Sequence, residues 1–190
     1  LKITSMLGTA GPDLASEAIV QAARQGDPVV ASRLIRHLPT TKSPRGLSAL
    51  RHFLHEQPPS DDVLAACLFV FGELRDPTDL HVIRTHLSNP AWYVRVQAAT
   101  ALGKLGTQDD EARLIALLND EQWWVRYRGG EALSSLKSMT EEKLELLQAT
   151  LPTPEAQEIL APMLAKFRVR HAPHSAHRPA DRVALTPTSS

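Results

Sequence analysis

Residues 89–95 read Asn-Pro-Ala-Trp-Tyr-Val-Arg, and 31 positions later residues 120–126 read Asp-Glu-Gln-Trp-Trp-Val-Arg. The same offset relates Leu87 to Leu118, Ala101 to Ala132, Leu102 to Leu133 and Leu105 to Leu136. One period earlier, Gly72-Glu73-Leu74 underlies Gly103-Lys104-Leu105, and Val63 underlies Val94. Two periods earlier, Asp27-Pro28 and Arg33 underlie Asn89-Pro90 and Arg95. A fixed period of this length restricts the chain to a stack of similar units. No single unit buries its own apolar face, so neighbours must share one core.

The unit is helical. Val94, Ala98, Ala101, Leu102 and Leu105 recur at spacings of three and four and form one apolar stripe, which Val125, Gly129, Ala132, Leu133 and Leu136 repeat. Leu114, Leu117 and Leu118 mark a shorter second helix. Turn residues separate the two, as at Asp76-Pro77, Gly106-Thr107 and Asn119-Asp120. Helices are expected near 14–25, 28–38, 46–56, 61–74, 77–87, 91–105, 108–118, 122–137, 141–150 and 154–167. Strand signals are missing from the sequence: there is no sustained period-two alternation. The small residues Ala98, Ala99, Gly129 and Gly130 point to close helix approach. Counting back from the strongest repeats makes 14–25 the second helix of a pair, so the chain is expected to begin within a repeat.

Asp/Asn-Pro, then Val-Arg, then Ala-x-x-Ala-Leu-Gly-x-Leu over a two-helix period resembles HEAT repeats. The likeness is to the short bacterial kind, which also occurs in phycobilisome lyases. It is specific over residues 61–137 and weaker over 14–60. It implies an all-α fold, an α-solenoid (α-α superhelix) of about four to five helix pairs over residues 1–167. It also implies a non-catalytic scaffold for protein–protein interaction. Arg95 and Arg126 match a position that tethers adjacent HEAT repeats, with Asn89 and Asp120 as turn partners. Residues 168–190 lack apolar periodicity, hold three prolines and read as a disordered tail.

All three tryptophans and both tyrosines fall at two corresponding places: Trp92-Tyr93, and Trp123-Trp124 with Tyr127. The resembling family usually has small, Pro or acidic residues there. With Arg128 beside them, these aromatics are candidates for a partner-binding strip, because Trp, Tyr and Arg dominate binding hot spots. The competing reading packs the rings over helix ends as part of the core.

The chemistry of catalysis is absent from the motifs: there is no Gly-x-Ser-x-Gly, Walker loop, His-Glu-x-x-His or Gly-x-Gly-x-x-Gly. No cofactor is expected. His52, His55 and Glu56 share a helix, but a metal site needs three or four ligands and no metal site is assigned. The sole cysteine, Cys67, sits in an apolar run and fits a core position in a reducing, cytoplasmic setting. No apolar run spans a bilayer, so membrane association would need an anchor upstream of Leu1. Lys plus Arg balance Asp plus Glu at 21 each. From Arg168 onward four arginines and one aspartate give +3, which leaves the body at −3. That balance argues against nucleic acid as the partner, and the resemblance implies another protein instead. The alternatives are a lyase-like or DNA-glycosylase-like HEAT enzyme or accessory subunit, and a nucleic-acid-binding module. An enzyme should show a polar pocket with perturbed ionisable groups, a nucleic-acid binder a basic concave face, and a scaffold an exposed aromatic strip.

Overall fold

The computed structural model describes residues 11–56 and 59–171. Among them are ten helices of six residues or more and no strand. They are α1 (Pro12–Gln25), α2 (Pro28–Ile35), α3 (Pro44–Glu56), α4 (Asp61–Leu74), α5 (Leu80–Thr85), α6 (Trp92–Leu105), α7 (Glu111–Leu117), α8 (Trp123–Ser135), α9 (Glu141–Thr150) and α10 (Pro154–His171). The helix expected over 28–38 stops at Ile35, and a single turn, Leu38–Thr41, follows. Pro39 lacks the N–H that would bond to the Ile35 carbonyl and its ring crowds that carbonyl, which favours a break here, although α10 runs through Pro162. The last helix continues to His171, four residues into the stretch assigned to a tail. Phe167 is buried, and Arg168 donates to Glu141 and Glu145 of α9, which holds that extra turn down. The rest of that stretch lies outside the described residues.

The helices form two layers. The even-numbered helices α2, α4, α6, α8 and α10 pack in chain order against one another; α1, α5, α7 and α9 each pack on an even helix, and α3 packs on α1. This is the all-α solenoid, with four complete pairs from α2 to α9 flanked by α1 and α10. One continuous core runs along it, from Ile19 and Ile35 through Leu68, Phe71, Leu102 and Leu133 to Leu160. Cys67 lies in that core, and burial pushes its thiol up, so it stays protonated.

Small residues set the spacing of the even layer. A Cβ on Gly72 would lie 2.9 Å from Ala101 Cα, and one on Gly103 would lie 2.8 Å from Ala132 Cα. The same glycine meets the same alanine one repeat on, backbone against backbone. Gly130 repeats the theme against Ile159 of α10, and Gly129 against Leu117 of α7.

The loops before α2, α5, α6 and α8 are each closed by a carboxylate or amide that accepts from the N–H two residues on. Asp27 accepts from Val29 at 2.8 Å, Asp76 from Thr78 at 3.0 Å, Asn89 from Ala91 at 2.8 Å and Asp120 from Gln122 at 2.9 Å. These are local Asx turns, and they orient the helix starts. The α7 loop uses Thr107 and Asp110 as a reciprocal capping box instead.

Bidentate arginine–aspartate pairs join successive units. In the odd layer Arg51 donates to Asp79 at 2.7 and 2.9 Å and also to Asp76, and Arg84 donates to Asp110 at 2.7 and 2.9 Å. In the even layer Arg95 donates twice to Asp120 at 2.8 Å, with both side chains about nine-tenths buried. Such forked, charge-assisted pairs are the strong class of hydrogen bond. Burial alone would raise the Asp110 carboxyl, but Arg84, the Thr107 N–H and Arg113 together hold it below the usual carboxylate range. The Asp76 carboxyl, bonded chiefly by Arg51, falls from 3.8 to about 2.

Three outcomes test this account. Gly103→Ala should destabilise the fold, read as a lower urea midpoint, because overpacking costs about 1–3 kcal/mol against about 1 kcal/mol gained in helix propensity; a higher midpoint would contradict the close contact. Asp120→Ala should cost about 3 kcal/mol, because it strands a buried guanidinium; a cost below about 0.5 kcal/mol, typical of a surface site, would show that Arg95 finds another acceptor. Asp76 and Asp110 are held below their unfolded values, so their contribution is complete above about pH 4. It is lost as pH falls through the folded-state values, down to about 2 for Asp76. Acid titration of Asp110→Asn should therefore show a shallower loss of stability below pH 4 than the wild type.

Candidate binding edge

The even helices all start along one edge. Val30, Asp61, Trp92, Trp123 and Pro154 stand at successive intervals of 31 at the starts of α2, α4, α6, α8 and α10, and each is exposed. A helical side chain leans toward the helix N-terminus, so a residue in the first position projects past the helix end. Val94 and Val125, two residues further on, fall on the buried stripe instead. Two of the five edge positions carry tryptophan, where Asp61 shows that a charged residue also fits.

The candidate aromatics divide between surface and core. Trp92, Trp123 and Trp124 are 42%, 48% and 53% exposed. Tyr93 and Tyr127 are partly buried and pack against the core. Trp123 stacks on Tyr127 with centroids 5.1 Å apart, and Trp124 meets Trp123 edge-on at 4.7 Å. Trp92 and Tyr93 form a second edge-on pair at 5.9 Å. The tyrosines thus support rings whose outer faces remain in water. Arg128 lies 5.8 Å over the Tyr127 ring and bonds to Glu131 at 2.6 Å. Burial and the nearby Asp62 and Asp61 charges raise the Tyr93 phenol.

Of the four residues expected to tether repeats, Arg95 and Asp120 meet across the repeat boundary. Asn89 and Arg126 act within their own loops. Asn89 closes its Asx turn, and its carbonyl accepts from Arg95. Arg126 donates to the carbonyls of Asp120 and Glu121 at 2.8 and 3.1 Å, as Arg95 does to Asn89 and Pro90. The position one period after Asp120 is Leu151, which offers no carboxylate, and Arg126 Nε is buried without a partner among the described residues. It borders a notch of about 230 Å³ between α8 and α10, lined also by Trp123, Tyr127, Glu155 and Glu158.

A larger cleft, of about 650 Å³, lies between α3 and α5, and no sequence motif points to it. Leu54, Leu64, Phe71 and Val82 form its apolar wall, and His55, His81, His86, Asp61 and Asn89 its polar rim. The volume suits a small molecule or an inserted side chain. Burial lowers the His86 imidazole, against the opposing charge of Asp61. His81 Nδ1 lies 3.1 Å from the Thr78 carbonyl, and Arg51 is already engaged by Asp76 and Asp79. No group of three or more His, Cys, Asp or Glu side chains among the described residues is placed to hold a metal ion. Nor is any described helix long and apolar enough to cross a membrane. The three histidines come from α3 and from either end of α5; only the packing of the odd layer brings them to one cleft.

The family model for HEAT repeats matches residues 82–165. No curated protein matches the chain. HEAT repeats generally mediate protein–protein interaction. The match begins within α5 and ends within α10, so it takes in both tryptophan-bearing helix starts and the Arg95–Asp120 link. With the two-layered helical stack, it places residues 82–165 in the HEAT-repeat family.

Proposed function

We propose that this chain is a non-catalytic HEAT-repeat scaffold that binds another protein along the edge formed by the starts of α6 and α8. The carrying observation is the half-exposure of Trp92, Trp123 and Trp124 at equivalent places in adjacent units. Large aromatic surfaces in water are costly, at about 25 cal/mol per Å² of apolar area left exposed. Three on one edge make a surface whose covering by a partner is favourable. The rings are also pre-ordered by packing edge-on against Tyr93 and stacking on Tyr127, so little side-chain freedom is lost on docking. The cleft between α3 and α5 shares Asp61 and Asn89 with this edge and offers a socket for a partner side chain.

The test is affinity capture from extract of the source cell, comparing wild type with Trp92→Ala/Trp123→Ala/Trp124→Ala. The variant should keep its helical circular dichroism and a Tm within about 4 °C, since it removes mostly exposed rings. It should lose the retained protein, because removing anchors of this kind costs about 2 kcal/mol or more each. Retention of the same protein by the folded variant would remove the edge from the binding surface. A steep fall in Tm would instead assign the rings to the core.

A further inference from the structure

A second surface adjoins the aromatic edge and differs from it in charge. A groove of about 400 Å³ crosses α6, α8 and α10 on the face of the even layer. Its lining holds four cations, Lys104, Arg128, Lys166 and Arg170, and one carboxylate, Glu131, which leaves it at +3. Internal pairing does not quench this. Glu131 bonds to Arg128 at 2.6 Å and stands 4.0 Å from Lys166, so one carboxylate faces two cations. Lys104 pairs with Glu73 just outside the lining, so the groove with that neighbour stands at +2, four cations against two carboxylates. Arg170 is exposed and has no ion pair among the described residues.

Tyr127 joins the groove to the edge. Trp123 stacks on one side of its ring system, while Lys166 Nζ donates to its hydroxyl at 3.1 Å. A chain segment anchored on Trp123 and Trp124 therefore reaches the groove within a few residues. We propose that the groove takes an acidic stretch of the partner polypeptide, adjacent to the apolar residues that dock on the tryptophans. This rests on the aromatic edge being the anchoring surface.

The dimensions favour a short acidic peptide over a nucleic acid. Neighbouring helices in contact lie about 8–10 Å apart, so the cations spread over roughly 20 Å. An extended chain crosses that in about six residues. Two to four carboxylates fill such a span, and the arginine forks bind them bidentately. A longer polyanion would run onto Asp61, Asp62, Glu155 and Glu158 along the edge, and onto a body that carries −3 before Arg168. Sparse charge of this kind supports a local contact rather than the extended neutralisation that phosphate backbones require.

The experiment is fluorescence anisotropy on the full chain with a labelled peptide of leucine and phenylalanine followed by four glutamates. Its glutamine counterpart and a single-stranded oligonucleotide of equal charge are run beside it. The glutamate peptide should bind about tenfold or more tightly than the glutamine one, and added salt should erase the difference. Lys166→Glu/Arg170→Glu replaces exposed side chains and should keep the helical circular dichroism while abolishing the preference. Equal binding of the two peptides, no binding of either, or an unchanged preference in the charge-reversed variant would overturn the proposal. Tighter binding of the oligonucleotide would overturn the assignment to polypeptide. Trp123→Ala/Trp124→Ala separates the two readings. If it alone weakens both peptides, the edge stands and the acidic groove falls. If it changes nothing while charge reversal abolishes binding, the edge falls as the anchor.

Discussion

The close approach of successive even helices is the constraint on which the other features depend. Gly72 against Ala101 and Gly103 against Ala132 bring backbones within the reach of a missing side chain. That spacing decides where everything else falls. It lines up the helix starts so that Trp92 and Trp123 become neighbours. It also sets the separation that Arg95 must bridge to reach Asp120. Among the odd helices, α1 and α3 pack directly, with Gly46 against Ser16, while α3, α5 and α7 are joined by polar reach, from Arg51 to Asp79 and from Arg84 to Asp110. Close packing dominates the even layer, and from α3 onward charge-assisted hydrogen bonds tie the odd one.

Most of the fold was legible in the sequence because a repeat reports its own geometry. The 31-residue offset gave the unit, and the apolar stripe from Val94 to Leu105 gave the buried face. The break at Ile35 needed attention to Pro39, whose effect is local and was readable. The last turn to His171 was less so. Its composition looks solvated, and it is held by Phe167 in the core and by Arg168 on two glutamates of a different helix.

The site was legible in part. The equivalence of Trp92 and Trp123 follows from the period, but the sequence could not divide the aromatic set into exposed tryptophans and supporting tyrosines. Tyr93 and Trp124 occupy the same repeat position, yet one is partly buried and the other exposed, so the period alone does not set the division. Asp79 and Asp110 stand one period apart, but their partners Arg51 and Arg84 are spaced 33 apart, so the odd-layer links do not show as a clean repeat. The cleft with His55, His81 and His86 and the basic groove draw on separate elements. Neither repeats with the period, and even overall charge concealed the groove because acidic residues elsewhere cancel it.

The unpartnered Nε of Arg126 marks where one of these patterns stops. The unit that holds Arg126 reproduces the arginine and its loop carbonyls, but the following unit puts Leu151 where a carboxylate would close the link. The boundary between α8 and α10 is therefore joined by apolar packing at Gly130 and Ile159 without the fork that joins α6 to the α8 loop. In a one-dimensional array, coupling between neighbours determines how far a local opening spreads. The α8–α10 seam lacks the ionic fork, while α9 is still tied back to α7 by Lys143 and Ser138 on Glu111. The aromatic cluster sits on that seam, where the even layer loses its arginine–carboxylate link and the odd layer keeps an ionic one.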